Sequence, residues 1–320
     1  MSEHESKQDI QIDEDEMARA LRRSGYIIEY RAAQLLEQEG WDATPNYAYP
    51  DPTTGVTREL DLIANYRQSL DNDLGYVQAI LVGECVNNPQ PLAVFLRPPG
   101  ISGADVFALR TSGNLRYCLD KPNGILEYVM NAVDAQNWHH CCGQPFASQF
   151  CSFVKKKPNG PWMAFHEDKH FECFDGIYNA QKHLHNYRVE AVRSGSIGST
   201  VRLDVYYPCL LVQGKLVKVD LSKGHLPVEM IARSIYRRGV IEDEVNDVFF
   251  TDILIEQELR SYSELIKTEV DTIVRHLNDR EEGVRATLVE MSKRIKSHLT
   301  QRELSERTGL GDLPWPPFAS

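Results

Sequence analysis

The sequence predicts an α/β protein, and three observations carry that prediction. Apolar residues recur at three- and four-residue steps from Ala18 to Gly40, three strand-like runs bounded by turn residues follow, and a long helical pattern occupies the C-terminal part. With 320 residues, 42% hydrophobic and 25% charged, the chain has the make-up of a globular protein of one large domain or two smaller ones, and wholesale disorder is excluded.

Residues 1–18 are polar and acidic with almost no apolar periodicity, and are expected to form a disordered tail. Over 18–40, Leu21, Ile28, Ala32, Leu35 and Leu36 fall on helical spacing, with Gly40 placed as a C-cap and an interruption expected near Gly25. Residues 41–49, 56–66 and 76–86 read as strands, separated by Pro50-Asp51-Pro52 with Gly55 and by Asp71-Asn72-Asp73 with Gly75. The third is apolar on both faces through Gln78-Ala79-Ile80-Leu81-Val82-Gly83, as in a central strand covered on both sides, until Glu84 ends it with a charge.

Residues 87–125 are rich in Pro, Gly and Asn and predict a loop-dominated segment with a short helix over 103–110. Helices are expected over 125–138 and 174–191, flanking an irregular stretch rich in aromatics and cysteines. Residues 201–212 and 215–219 read as a β-hairpin around Gln213-Gly214, and 248–255 as the start of a further strand or helix. Over 256–299, Leu259, Tyr262, Ile266, Val270, Ile273, Val274, Leu277, Val284, Leu288, Met291 and Ile295 predict a long amphipathic helix or helical pair with Gly283 as its weak point. The proline-bearing run 312–318 cannot be helical, and reads as a loose end or a strap. The organisation expected is a tail over 1–18, an α/β domain over 19–255 with an irregular insertion around 87–173, and a helical region with its own tail over 256–320.

Charge and cysteine usage bound the function classes. Lys+Arg number 35 against 46 Asp+Glu, a net charge of −11, so non-specific attraction to phosphate backbones is not the default. The first sixteen residues hold Glu3, Glu5, Asp9, Asp13, Glu14, Asp15 and Glu16 against Lys7, which is −6 and leaves −5 for the rest; a local basic groove stays compatible with that balance. No run approaches the roughly 18 apolar residues of a membrane helix, and the N-terminus is acidic where a signal or transit peptide is basic. A cytoplasmic protein without a membrane partner is expected. Seven cysteines, Cys85, Cys118, Cys141, Cys142, Cys151, Cys173 and Cys209, are odd in number and thinly spread, which reads as reduced thiols.

Three acids stand out among apolar neighbours: Glu29 in Ile27-Ile28-Glu29, Asp61 in Leu60-Asp61-Leu62-Ile63, and Glu84 at the end of Leu81-Val82-Gly83-Glu84. If the second and third strands pair with their ends in register, Asp61 and Glu84 meet over one spot. Adjacent buried carboxylates repel, so such a cluster suits a hard cation held through oxygen, with Mg²⁺ the natural candidate and Mn²⁺ its substitute. The metal then polarises a phosphate and activates a water, with Glu29 assisting. The same acids also read as surface residues at strand ends, or as partners of Arg31 and Arg58.

The helix bearing Glu29, the hairpin with Arg58-Glu59-Leu60-Asp61-Leu62-Ile63-Ala64, and Val82-Gly83-Glu84-Cys85-Val86-Asn87 together resemble the PD-(D/E)XK nuclease superfamily, and in particular restriction-endonuclease-like proteins. The resemblance covers residues 24–97 best and the segment 201–219 more loosely. It implies a central mixed sheet flanked by helices, with Asp61 and Glu84 as metal ligands and catalytic acids and Glu29 as an assisting acid. It also implies a nucleic-acid substrate, DNA or alternatively RNA, in restriction, defence or repair. Val86 stands where the family pattern puts its lysine, and losing one such electrostatic contact typically costs about 10² to 10³ in rate. Catalysis is therefore expected to be weakened or lost, unless Lys155, Lys156, Lys157, Arg97 or Arg58 supplies the charge. A non-catalytic module that binds DNA or a protein on the same scaffold is the competing reading.

Other constellations are weaker. His139-His140-Cys141-Cys142 with Cys151, His166, His170 and Cys173 offers soft ligands, but finger-like spacing occurs only at His166 and His170, so zinc is not expected. Lys155-Lys156-Lys157 beside Trp162 can touch a phosphate backbone, or be a solvated turn. Residues 193–200 lack the ending of a phosphate-binding loop and precede a strand. The C-terminal helix offers a homodimer interface, or simply covers the sheet.

Overall fold

The computed structural model describes residues 12–293, apart from 53, 89, 100–110, 116, 121–124, 166–167, 195–199, 221–226 and 243–244. The helix expected at 103–110 and the run 312–318 lie outside these residues.

Two helices open the chain, α1 (Glu14–Arg23) and α2 (Tyr26–Gln38), and the break between them falls at Ser24 and Gly25. The helix begins earlier than expected, inside the acidic stretch, because that stretch is built as a start signal. Asp13 accepts a hydrogen bond from the Glu16 amide at 2.7 Å, and Glu14, Asp15 and Glu16 occupy the positive end of the helix dipole. Helix α2 buries Ile28, Ala32 and Leu36 at four-residue steps, together with Glu29 and Ala33.

Strands β1 (Asp42–Pro50), β2 (Thr57–Ser69) and β3 (Gly75–Asn87) form an antiparallel meander. The segment expected to be irregular contributes β4 (Leu92–Arg97), β5 (Thr111–Gly113), β6 (Tyr117–Asp120), β7 (Ile125–Tyr128), β8 (Phe146–Lys155) and β9 (Trp162–Phe165). In place of the helix expected over 125–138 stand β7, a single turn α3 (Val129–Ala132) and a 3₁₀ turn at Ala135–Asn137, with Asp134 left-handed at φ 59° between them. A left-handed residue cannot continue a helix.

Helix α4 (Asp168–Arg193) leads into β10 (Val201–Gln213), which runs parallel to β3 from Val201 opposite Gly75 to Gln213 opposite Asn87. The described residues continue through β11 (Leu216–Val219), β12 (Val228–Ile231), β13 (Arg233–Glu242), β14 (Val245–Ile255), α5 (Leu259–Asn278) and a helix α6 over residues 281–293. The break between the last two helices falls at residues 279–280, and Gly283 lies inside α6. The hairpin expected around Gln213-Gly214 does not form: β10 has both edges taken, by β3 and β14, while β11 pairs with β4 and β12.

Twelve strands make one mixed sheet in the order β1-β2-β3-β10-β14-β13-β8-β4-β11-β12, with β5 and β9 attached at its sides, and β6 and β7 pair separately as a two-stranded sheet. The parallel β3–β10 pair stops at Asn87 and Gln213 and resumes as the parallel β4–β11 pair at Leu92 and Leu216. The ladder therefore runs from β10 through β14, β13, β8 and β4 back to the strand that continues β10, and the sheet curls around a core.

Helices cover both faces of the central strands. On one face Val77, Ala79, Leu81, Leu203, Val205 and Leu211 pack against Ile28 and Leu36 of α2 and Leu259, Ile266, Val270 and Ile273 of α5. On the other, Ile80, Val82, Val86, Tyr206, Leu210 and Val212 pack with Phe174, Ile177 and Ala180 of α4. This coverage explains the nearly continuous apolar run of β3. It also uses up the apolar stripe of α5, which the sequence offered as a dimer interface. Among the described residues, no helix is long and apolar enough to cross a membrane.

Gly75, at φ 133°, starts the β3–β10 pair, and a Cβ there would lie 2.1 Å from the Val201 carbonyl oxygen. Gly75→Ala is expected to cost about 3 kcal/mol or more, from backbone strain and overpacking together. Urea unfolding measures it, and an unchanged midpoint would contradict this register.

Candidate functional site

The antiparallel β2–β3 ladder sets the first cluster. Leu62 lies opposite Gly83, so one step further along places Asp61 and Glu84 on facing positions. Asp61 Oδ2 accepts the Cys85 backbone N–H at 2.8 Å, and the Asp61 and Glu84 side chains are hydrogen-bonded to each other. The β1–β2 ladder is interrupted at the same level, between the Pro45–Leu62 and Tyr47–Leu60 pairs, where Asn46 takes φ 52°. Glu29 approaches from α2, and its charge is felt by Glu84 as that of Asp61 is felt by Glu29. The structure thus brings together the three acids singled out in sequence.

Their electrostatics are those of crowded carboxylates. Burial, then the charge of Asp61 and its hydrogen bond, push Glu84 up to about 10, and it is only 9% exposed. Burial, then Asp61 and Glu59, raise Glu29 to about 7. Glycine stands where each helix meets an acid: a Cβ on Gly25 would lie 2.7 Å from Glu29 Oε1, and one on Gly176 of α4 would lie 2.8 Å from Glu84 Oε1. The Tyr49 hydroxyl donates to the Gly176 carbonyl at 3.0 Å, and burial followed by the Glu84 charge raises it to about 12.

No basic side chain reaches this cluster among the described residues. Val86 is 5% exposed and belongs to the core on the α4 face. Arg58 is held by Asp51 at 2.6 Å, Arg31 by Glu256 at 2.7 Å, and Arg97 donates to Ser148 Oγ at 2.9 Å. Lys155, Lys156 and Lys157 are exposed at the end of β8, with Lys155 Nζ 4.9 Å from the centre of the half-exposed Trp162 ring.

A second polar cluster lies on the α5 side of the sheet. Gly83, Cys209 and Asp252 are aligned across β3, β10 and β14, so this cluster shares a level of the sheet with the first. His140 Nδ1 lies 2.9 Å from Glu269 Oε1 and its Nε2 lies 3.0 Å from Asp252 Oδ2. The His140 backbone N–H donates to Glu269 at 2.6 Å, and the Tyr262 hydroxyl to Asp252 at 2.8 Å. Burial opposes a charge on His140, but Cys141, Asp252 and Glu269 outweigh it and raise the imidazole well above its usual range. Burial likewise opposes ionisation of Glu269, but His139 and His140 hold it down to about 2. Sequence reasoning missed Asp252 and Glu269. The signals were there: Asp252 interrupts the apolar run Phe249-Phe250-Thr251-Asp252-Ile253-Leu254, and Glu269 falls on the apolar stripe of α5 between Ile266 and Val270.

A cleft of about 620 Å³ opens between α2 and the start of α5, lined by Arg31, Leu35, Gln38, Gln213, Glu256 and Leu259 among others. Comparison with protein-family models, with curated proteins and with solved structures finds no match.

The raised Glu84 fixes a sign for pH dependence. Its folded value, about 10, exceeds the ordinary 4.5 of a free glutamate, so the native state binds the extra proton. Its contribution to stability is full below about pH 4.5 and is lost as the pH rises toward 10, by on the order of 1 kcal/mol per pH unit. Urea titrations at several pH values are expected to show this loss in the metal-free chain, and Glu84→Gln is expected to flatten it. An equal slope in that variant would contradict the assignment.

Proposed function

We propose that the chain is a nucleic-acid-acting protein built on the scaffold of a metal-dependent phosphodiester hydrolase of the PD-(D/E)XK kind, with catalysis weakened or lost at Val86. The observation that carries this reading is the meeting of Asp61 and Glu84 across the β2–β3 ladder, with Glu29 beside them. The order of elements supports it: a helix, a three-strand meander, and a helix leading into a strand parallel to the third.

The donor set suits a divalent cation. Crowded carboxylates with no cation beside them among the described residues are unstable as charges, and hard oxygen donors match Mg²⁺ or Mn²⁺. Asp61 and Glu84 would hold the ion, which supplies polarisation of a phosphate and a more acidic water. The chain's own part is positional. The Cys85 N–H fixes one oxygen of Asp61, while glycine at Gly25 and Gly176 lets α2 and α4 close on the acids without displacing them. Glu29, beside the two ligand acids, is placed to assist them by orienting a water on the ion. Lys155, Lys156 and Lys157, with Trp162, offer a charged and stacking contact for nucleic acid on a separate part of the sheet.

The buried Val86 favours a second reading, a module that binds nucleic acid or a protein without cutting. Cleavage of plasmid, single-stranded DNA and RNA with Mn²⁺ separates the two. Slow cutting by the native chain, abolished in Asp61→Ala and raised about 10²-fold or more in Val86→Lys, is the expected result. Silence from all three proteins, with nucleic acid still bound, would move the reading to the module.

A further inference from the structure

The sequence argued against zinc because its soft ligands lack paired spacing, and the fold collects them differently. Cys151 and Cys173 are drawn into other core clusters, while His139, His140 and Cys141 come together at the start of the loop that packs on α5 and β14. One donor atom from each lies within 4.8 Å of the others. The side chains of His139 and His140 are 1% and 2% exposed, and their rings stack with centres 4.6 Å apart.

Two contacts within the cluster match the donor spacing of a small tetrahedral ion. With metal–nitrogen and metal–sulfur bonds near those of zinc, neighbouring donors stand roughly 3.3–3.6 Å apart. Cys141 Sγ lies 3.3 Å from His140 Nε2, and His139 Nε2 lies 3.6 Å from Glu269 Oε2. Glu269 Oε2 is buried and accepts no hydrogen bond among the described residues, although Glu269 Oε1 takes two, from the backbone and the ring of His140. We propose that His139, His140 and Cys141, completed by one of the buried carboxylates Asp252 or Glu269, form a structural zinc site that ties this loop to β14 and α5. His140 then binds through Nε2, the nitrogen that faces Cys141 Sγ, while Glu269 Oε1 holds its Nδ1, the outer-shell arrangement that orients a coordinating imidazole. Loading requires the Cys141 amide to release its 3.2 Å contact with His139 Nδ1.

The site is independent of the acid cluster and is tested apart from it. The full-length chain, purified without a polyhistidine tag or added metal, is expected to carry about one zinc per molecule. Replacing zinc by Co²⁺ is expected to give tetrahedral ligand-field bands and a thiolate-to-cobalt charge-transfer band. Cys141→Ser should remove the charge-transfer band, and His139→Asn should weaken Co²⁺ binding by more than about 10-fold. Asp61→Asn should leave the spectrum unchanged. A folded native chain without zinc that gives no tetrahedral cobalt spectrum would overturn the proposal. So would a charge-transfer band that survives in Cys141→Ser or disappears in Asp61→Asn.

Discussion

Two carboxylates held against each other inside the protein are the constraint around which the candidate centre is organised. The ladder between β2 and β3 leaves Asp61 and Glu84 no freedom to separate without sliding the register, and a slip of one residue would exchange the side chains packed on the two faces of β3 and carry Glu84 to the opposite face. The repulsion is therefore retained by the packing of the sheet. It is relieved locally by the hydrogen bond between the two side chains, by the Cys85 amide, and by two glycines that keep side chains away from the Glu29 and Glu84 oxygens. A protein selected for stability alone would replace such a pair with apolar residues.

The surrounding architecture supplies the rigidity this arrangement needs. β3 is flanked by β10 along its whole length and by β2 from Tyr76 to Gly83, and helices cover both of its faces. The second polar cluster reaches the same level of the sheet through Cys209 and Asp252, and it anchors α5, the helix that also accepts the Trp41 indole N–H on Ser263. The two clusters thus lie on either side of the central strand β10 and share its packing.

What was legible in the sequence followed from local patterns. The three strands of the meander, the break at Gly25, the helix that precedes β10, and the acids isolated among apolar neighbours were all readable from periodicity and turn residues. Long-range pairing was not. Gln213-Gly214 looks like a hairpin turn, yet β11 is taken up by β4 because the sheet curls, and nothing local in 201–219 encodes that. The segment over 125–138 carries apolar residues at spacings that fit a helix, and the left-handed Asp134 defeats it. The partners of His140 come from β14 and from α5, 112 and 129 residues away along the chain, so pairwise ligand spacing could not reveal them.

Calorimetric titration of the full-length chain with Mn²⁺, beside Asp61→Asn, tests the central claim most directly. Saturable binding by the native chain that is lost in Asp61→Asn is the predicted result. Equal binding by both proteins, or none by a folded native chain, would contradict the account of these carboxylates as a cation site.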